Sequence, residues 1–252
     1  MRICFLSLLL AVCVSFFAMA EVVARFAPLA DDEHFAYSEQ NVPDTDGHMR
    51  WDLTLYAVKN NNIENAAELF IWERISGGTI QFTSDSRTAF FHMWLEGKST
   101  LLKADGVTGE LRAVVSNVGW GRISTDGRFF ASIDPQRLSD FEQANIFLFD
   151  IENEIMTQLD WKINNRLDGG GWYIYRFDNI FRIYGTHDGG AIAAVADLNP
   201  ETMEITVLWD KTDIVRWWEI SPPLPMLYGE DWQRWQDDLS KQYYDPNIRL
   251  ER

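Results

Sequence analysis

The chain has 252 residues, 46% hydrophobic and 14% aromatic, enough for one sizeable domain held by its own core. Its formal charge is −16, with 38 acidic residues against 22 Lys and Arg, so its surface repels phosphate backbones and anionic headgroups and excludes nucleic acid as an expected partner. The only cysteines, Cys4 and Cys13, both lie in the first twenty residues.

Those twenty residues read Met1-Arg2, an apolar run from Ile3 to Phe17, then Ala18-Met19-Ala20 before Glu21. This is the pattern of a cleavable secretory signal over residues 1–20, and the apolar run is short for a membrane span. Cleavage after Ala20 would remove Arg2 and both thiols, giving a formal charge of −17 with no disulfide, thiol nucleophile or thiolate ligand. A lipid anchor on Cys13 would follow Val12, where such signals carry a small residue. The expectation is therefore a periplasmic or secreted chain with no stable membrane span after cleavage.

An internal repeat follows. The segments FAPLADDEHFAYSE from Phe26, TIQFTSDSRTAFFHM from Thr79, WGRISTDGRFFASID from Trp120, WYIYRFDNIFRIYG from Trp172 and WWEISPPLP from Trp217 align on Leu29, Phe82, Ile123, Tyr175 and Ile220. Spacings of 53, 41, 52 and 45 residues make each unit one supersecondary module. The first four anchors are followed three residues later by Asp32, Asp85, Asp126 and Asp178, and turn formers beside them signal hairpins. Second strands are expected at 35–37, 89–94, 129–133 and 181–184, and third strands at 53–58, 100–104, 146–149 and 192–196. Fourth strands are expected at 68–72, 111–115, 156–159 and 205–209, after polar turns. Phe129 and Phe147 are expected as core residues of unit three. The fifth unit contributes one strand before Pro222, Pro223 and Pro225 stop the ladder.

Four antiparallel strands per unit, repeated, is the plan of a propeller blade. ISTDGRFFASID followed by ANIFLFDIENEIMTQL resembles the WD-like repeat of TolB-type β-propellers. The resemblance implies an aspartate closing the third strand, a place matched by Asp105, Asp150 and Asp197, whereas Ala57 breaks the pattern. The fold class expected is all-β: a β-propeller of four four-stranded blades, with a fifth, degenerate unit and a short C-terminal helix. The propeller would occupy residues 21–228. The helix and tail would take 229–252, where Trp232, Trp235, Leu239 and Tyr243 recur at helical steps.

Signatures of known chemistry are missing from the sequence. There is no Gly-x-Ser-x-Gly, no His-Glu-x-x-His and no phosphate loop, and Gly169-Gly170-Gly171 leads into a strand rather than a helix. None of His34, His48, His92 and His187 is paired at metal-ligand spacing. Asp44-x-Asp46-Gly47, half a calcium loop without the third ligand and the bidentate glutamate, is expected to be an ordinary turn, so no metal is expected. No cofactor is expected.

Loop length is the informative irregularity. In a blade of this topology the loop between the second and third strands opens on the same face as the loop to the next blade. Long connections of these kinds are expected at 39–51, 134–144 and 160–171. They carry His48, Arg50 and Trp51, then Arg137, Asp140 and Phe141, then Trp161, Arg166 and Asp168, a mixture that recognition surfaces favour. A protein- or peptide-binding scaffold is the expected role. A carboxylate-based hydrolase or lyase on a glycan or peptide, and an accessory subunit of an envelope complex, stay open as alternatives, as does the oligomeric state.

Overall fold

The computed structural model describes residues 22–43, 49–59, 62–75, 78–95, 97–133, 145–159, 171–177, 179–211, 217–219, 221, 223–227 and 229. The expected signal segment lies outside them, and so does the expected C-terminal helix beyond Gly229. No helix among the described residues is long and apolar enough to cross a membrane.

Among the described residues, sixteen strands form four antiparallel sheets. Sheet one contains β2 (Glu33–Pro43), β3 (Met49–Lys59) and β4 (Asn62–Ile75). Sheet two runs β1 (Val22–Arg25), β8 (Glu110–Ser116), β7 (Lys98–Asp105), β6 (Thr88–Leu95) and β5 (Gly78–Phe82). Sheet three holds β9 (Gly121–Ile123), β10 (Phe129–Ile133), β11 (Ile146–Asp150) and β12 (Ile155–Leu159). Sheet four holds β13 (Trp172–Phe177), β14 (Ile180–Thr186), β15 (Ile192–Asn199) and β16 (Glu204–Asp210). Every expected second, third and fourth strand lies inside one of these elements.

The inner strands lie side by side. Gln81 of β5 is buried and spans to β9, donating from Nε2 to the Gly121 carbonyl at 3.1 Å and accepting the Ile123 amide at 2.9 Å. One turn further on, the Ser84 amide donates to the Thr125 carbonyl at 2.9 Å. Residues 41 apart in sequence thus sit level, so β5 and β9 run parallel and their sheets are in phase. Arg176 of β13 reaches the Phe82 carbonyl at 2.9 Å, bringing sheet four to the same level. Apolar side chains fill the seams: Phe91 and Trp72 between sheets one and two, Phe90 and Phe130 between two and three, Phe129 and Phe181 between three and four. Phe129 is buried as expected, but Phe147 is only half-buried: it pairs with the exposed Gln158 of the outer strand β12, while Ile146, Leu148 and Phe149 of β11 are buried.

The turns show why the repeat motif reads as it does. In Thr83-Ser84-Asp85-Ser86-Arg87 the Asp85 carboxylate accepts from Thr83 Oγ1 (2.6 Å) and the Arg87 amide (3.0 Å). In Ser124-Thr125-Asp126-Gly127-Arg128 the Asp126 carboxylate accepts from Ser124 Oγ (2.5 Å) and the Arg128 amide (3.0 Å). Each aspartate thus satisfies donors that the turn would otherwise leave bare. Ser86 and Gly127 take the left-handed position, with φ of 53° and 76°.

Four expectations are corrected. The first unit lacks an inner strand: residues 26–30 lie against sheet two instead, where Leu29 and Phe26 donate their amides to Gly106 and Gly109. Pro28 has no amide to give a ladder. The preceding β1 becomes a fifth strand of sheet two, so sheet one has three strands. Secondly, residues 39–51 are mostly not loop; β2 and β3 stay paired out to Pro43 with Met49, three pairs further than the eight-pair β6–β7 hairpin. The run Ser38 to Asn41 is polar throughout and hides the first strand of that arm, although Met49, Trp51 and Leu53 alternate with polar residues on the second. Thirdly, Asp105 and Asp150 cap their turns, accepting amides two and three residues on, but in unit four Asn199 does so. Asp197 pairs with Arg182 at 2.6 and 2.8 Å instead. Fourthly, the fifth unit shows a 3-10 turn over Trp217–Glu219 where a strand was expected. Ile192 and Gly190 then bond Pro225 and Leu227 of the following segment.

Candidate binding face

The topology gives the domain two ends. One carries the turns between first and second and between third and fourth strands; the other carries the remaining connections. At the turn end, arginines join neighbouring units. Arg87 donates to the carbonyls of Leu29, Ala30, Asp31 and Glu33, and Arg128 binds both oxygens of Glu201 at 3.0 Å and Asp150 at 3.3 Å. Burial alone would raise the Asp150 pKa, but the Asn153 amide and Arg128 together hold it below the usual carboxylate value. Asp150 and Glu201 thus converge on a guanidinium rather than on an open cleft.

The opposite end is the tryptophan end. Trp51 is the third residue of β3, Trp94 stands near the end of β6, Trp120 immediately precedes β9, Trp172 opens β13, and Trp209 stands near the end of β16. Trp94 and Trp120 are 54% and 48% exposed, values a core tryptophan does not show.

These two flank the seam between sheets two and three, and a buried polar cluster supports them. His92 lies on the same side of β6 as Trp94, two residues earlier, and its ring meets the Trp120 ring edge-on at 5.0 Å and the Phe130 ring at 6.1 Å. Ser99, paired across from Trp94, donates its hydroxyl proton to the Val118 carbonyl at 2.6 Å. Its oxygen lies 2.6 Å from His92 Nε2 and must accept, which assigns the imidazole proton to Nε2. His92 Nδ1 is buried and has no hydrogen-bond partner among the described residues. With its proton committed to a carbonyl, Ser99 is a brace for the tryptophan end, not an activated nucleophile.

Burial pushes the His92 imidazole below its ordinary value, against an opposing effect of the Val118 carbonyl. The folded protein thus binds fewer protons here than the unfolded chain. Stability from this site is complete above the unfolded value near 6.5 and is lost as pH falls from there to the depressed folded value. Urea titrations across pH 7.5 to 4.5 should show that loss, and His92→Gln should flatten this part of the profile.

Of the nine residues singled out from sequence, Arg50 and Trp51 are described. Both are half-buried and sit in β3, opposite Val42 and Asn41, with Trp51 also paired to Ile75. His48, Arg137, Asp140, Phe141, Trp161, Arg166 and Asp168 lie outside the described residues. The attachment points of their segments are nonetheless fixed. Ile133, Ile146 and Leu159 pair in one row across β10, β11 and β12, so the connections after Ile133 and after Leu159 leave the same edge of sheet three. The Ile133 amide also donates to the Trp120 carbonyl at 3.2 Å, so the segment bearing Arg137, Asp140 and Phe141 departs beside Trp120. Trp94 and Trp120 were not among the sequence candidates. Trp94 closes an apolar strand in FFHMWLE, and Trp120 reads as a repeat marker, so neither pattern separates an exposed ring from a buried one. Among the described residues no three His, Cys, Asp or Glu side chains gather as a metal ion would need.

Four antiparallel sheets in repeat, three of them with inner strands side by side and level, give this chain the fold of a β-propeller. No protein-family model matches it, and no curated protein does. Solved structures to which it is similar include TolB from Acinetobacter baumannii, at 14% identity over 72% of this chain and 54% of that one, with a TM-score of 0.42. The β-propeller domain of the trilobed protease from Pyrococcus furiosus is similar at 13% identity over 76% and 58%, with a TM-score of 0.48. Acylaminoacyl peptidase from Pyrococcus horikoshii is similar at 10% identity over 75% and 32%, with a TM-score of 0.47. The chain therefore spans about half of TolB's length and about a third of the peptidase's.

Proposed function

We propose that the chain is an exported propeller that holds a protein or peptide partner, periplasmic or extracellular, on its tryptophan end. The observation that carries this reading is the pair of exposed rings, Trp94 and Trp120, braced by the buried His92–Ser99–Val118 cluster at one end of the fold. Exposed aromatics on rigid strands are good anchors because they contribute contact area at little cost in side-chain entropy. At the turn end, by contrast, Arg87 is committed to backbone carbonyls and Arg128 to Asp150 and Glu201. Export rests on the Met1 to Ala20 pattern, and the intact mass of the secreted form tests the cleavage before Glu21.

Binding is tested by capturing the partner from an envelope fraction with the mature chain and then measuring its affinity for variants. Trp51→Ala, Arg137→Ala and Trp161→Ala should each weaken binding by about 2 kcal/mol with an almost unchanged melting temperature. A tryptophan whose truncation lowers stability instead is a packing residue. Unchanged binding and stability in all three would remove these residues from the face.

A further inference from the structure

Strands β8 and β16 are the same outer strand in two copies of the repeat. Each opens on a glutamate, Glu110 or Glu204, paired with the residue that caps its turn, Asp105 or Asn199. Each then slips register at the same step. Leu102 faces Ala113 while Leu101 faces Val115, and Ala196 faces Val207 while Val195 faces Trp209, so Val114 and Leu208 are equivalent extra residues.

The two differ in what lies beyond them. β8 is covered by β1, antiparallel, with Arg25 opposite Glu110 and Ala24 opposite Leu111. Arg25 Nη2 meets Glu110 Oε1 at 2.7 Å, and the Phe26 amide donates to the Gly109 carbonyl at 2.9 Å. β16 is the edge of its sheet among the described residues. Val207, Leu208 and Trp209 are 48%, 51% and 37% exposed there, whereas Val114 and Val115 of β8 are buried. Natural proteins shield such edges with lysine, proline or a covering element, and β16 itself contains neither residue.

We propose that β16 is a docking edge that takes an extended segment of a partner protein as a fifth, antiparallel strand. The β1–β8 pair sets its chemistry: a basic residue opposite Glu204, and a small or apolar one opposite Ile205. Main-chain hydrogen bonds supply the attraction, the glutamate fixes register, and the acidic surface draws a basic segment in. The residues that set register, Glu204 and Ile205, lie at the turn end of β16 and away from Trp94 and Trp120, so either reading can fail without the other.

The test uses the full mature chain and a fluorescein-labelled peptide of sequence VVARFAP, which copies residues 22–28. Hydrogen exchange should show new protection in β16, and anisotropy should show saturable binding. Replacing the peptide's arginine by glutamate should weaken that binding by at least about threefold, and Glu204→Lys should restore it for the glutamate peptide. Reciprocal rescue supports the proposal, because a merely sticky edge would not follow the charge swap. Protection confined to β8, with β1 released, would mean strand exchange and overturn it. Absence of β16 protection at millimolar peptide would also overturn it. Protection of β16 that rises with protein concentration alone would make the occupant a second copy and overturn the partner reading.

Discussion

Replacing Phe129 with alanine should destabilise the domain by about 3 to 5 kcal/mol, among the largest effects of any single substitution in this chain. The ring is 3% exposed and sits with Ala131, Ile133, Ile174 and Phe181 in the seam between sheets three and four. Truncation there leaves a cavity bounded by two backbones that are already hydrogen-bonded and cannot collapse onto it. The half-buried Phe147 should cost much less, since part of its surface is already in water. Urea denaturation of both variants checks the order. A Phe129→Ala variant that melts within a degree or two of the parent would contradict the placement of β10.

Gly121→Ala should cost about 3 kcal/mol, from the opposite cause. A methyl group on Gly121 would stand 2.1 Å from the Ala131 carbonyl oxygen and 2.7 Å from the Phe130 ring. The first obstacle is backbone and cannot rotate away. Moving it would disturb the β9–β10 ladder, the Gln81 bond to the Gly121 carbonyl and the Trp120 next to it. Gly97→Ala is the control: its φ is +77° and a methyl group there meets nothing within 4 Å, so only about 1 to 2 kcal/mol of left-handed strain applies. Equal losses at the two positions would mean that close approach at Gly121 is not what requires glycine.

Much of the fold was legible because the repeat is carried by turn chemistry, and turn chemistry is local. The Ser-Thr-Asp-Gly-Arg run needs only its own backbone to form its hydrogen bonds, so units two and three could be placed from sequence. Pairings chosen by tertiary context were not legible. Phe26 to Leu29 look like an inner strand until the bond partners Gly106 and Gly109 are known, more than seventy residues away. Asp197 fits a turn motif by spacing, yet Arg182 claims it and Asn199 takes over the cap. The long arm around Trp51 reads as loop on its first strand, where Ser38 to Asn41 is polar throughout, although Met49, Trp51 and Leu53 alternate with Arg50, Asp52 and Thr54 on the second. Loop length singled out connections that attach, by topology, at the end of the domain that holds Trp94 and Trp120. It could not point to Trp94 and Trp120, because exposure belongs to the packed sheets and not to the residue.

The most direct measurement places a photo-cross-linking residue, p-benzoylphenylalanine, at Trp120 on the tryptophan end and, separately, at Val107 on the turn end. Val107 is 70% exposed, so both probes reach solvent and neither disturbs a core. Irradiated in the envelope fraction, the Trp120 probe should give one covalent adduct with a partner protein that Trp94→Ala diminishes, while the Val107 probe should give none. An adduct from Val107 alone, or the same adduct from both positions regardless of Trp94, would contradict a binding face at the tryptophan end.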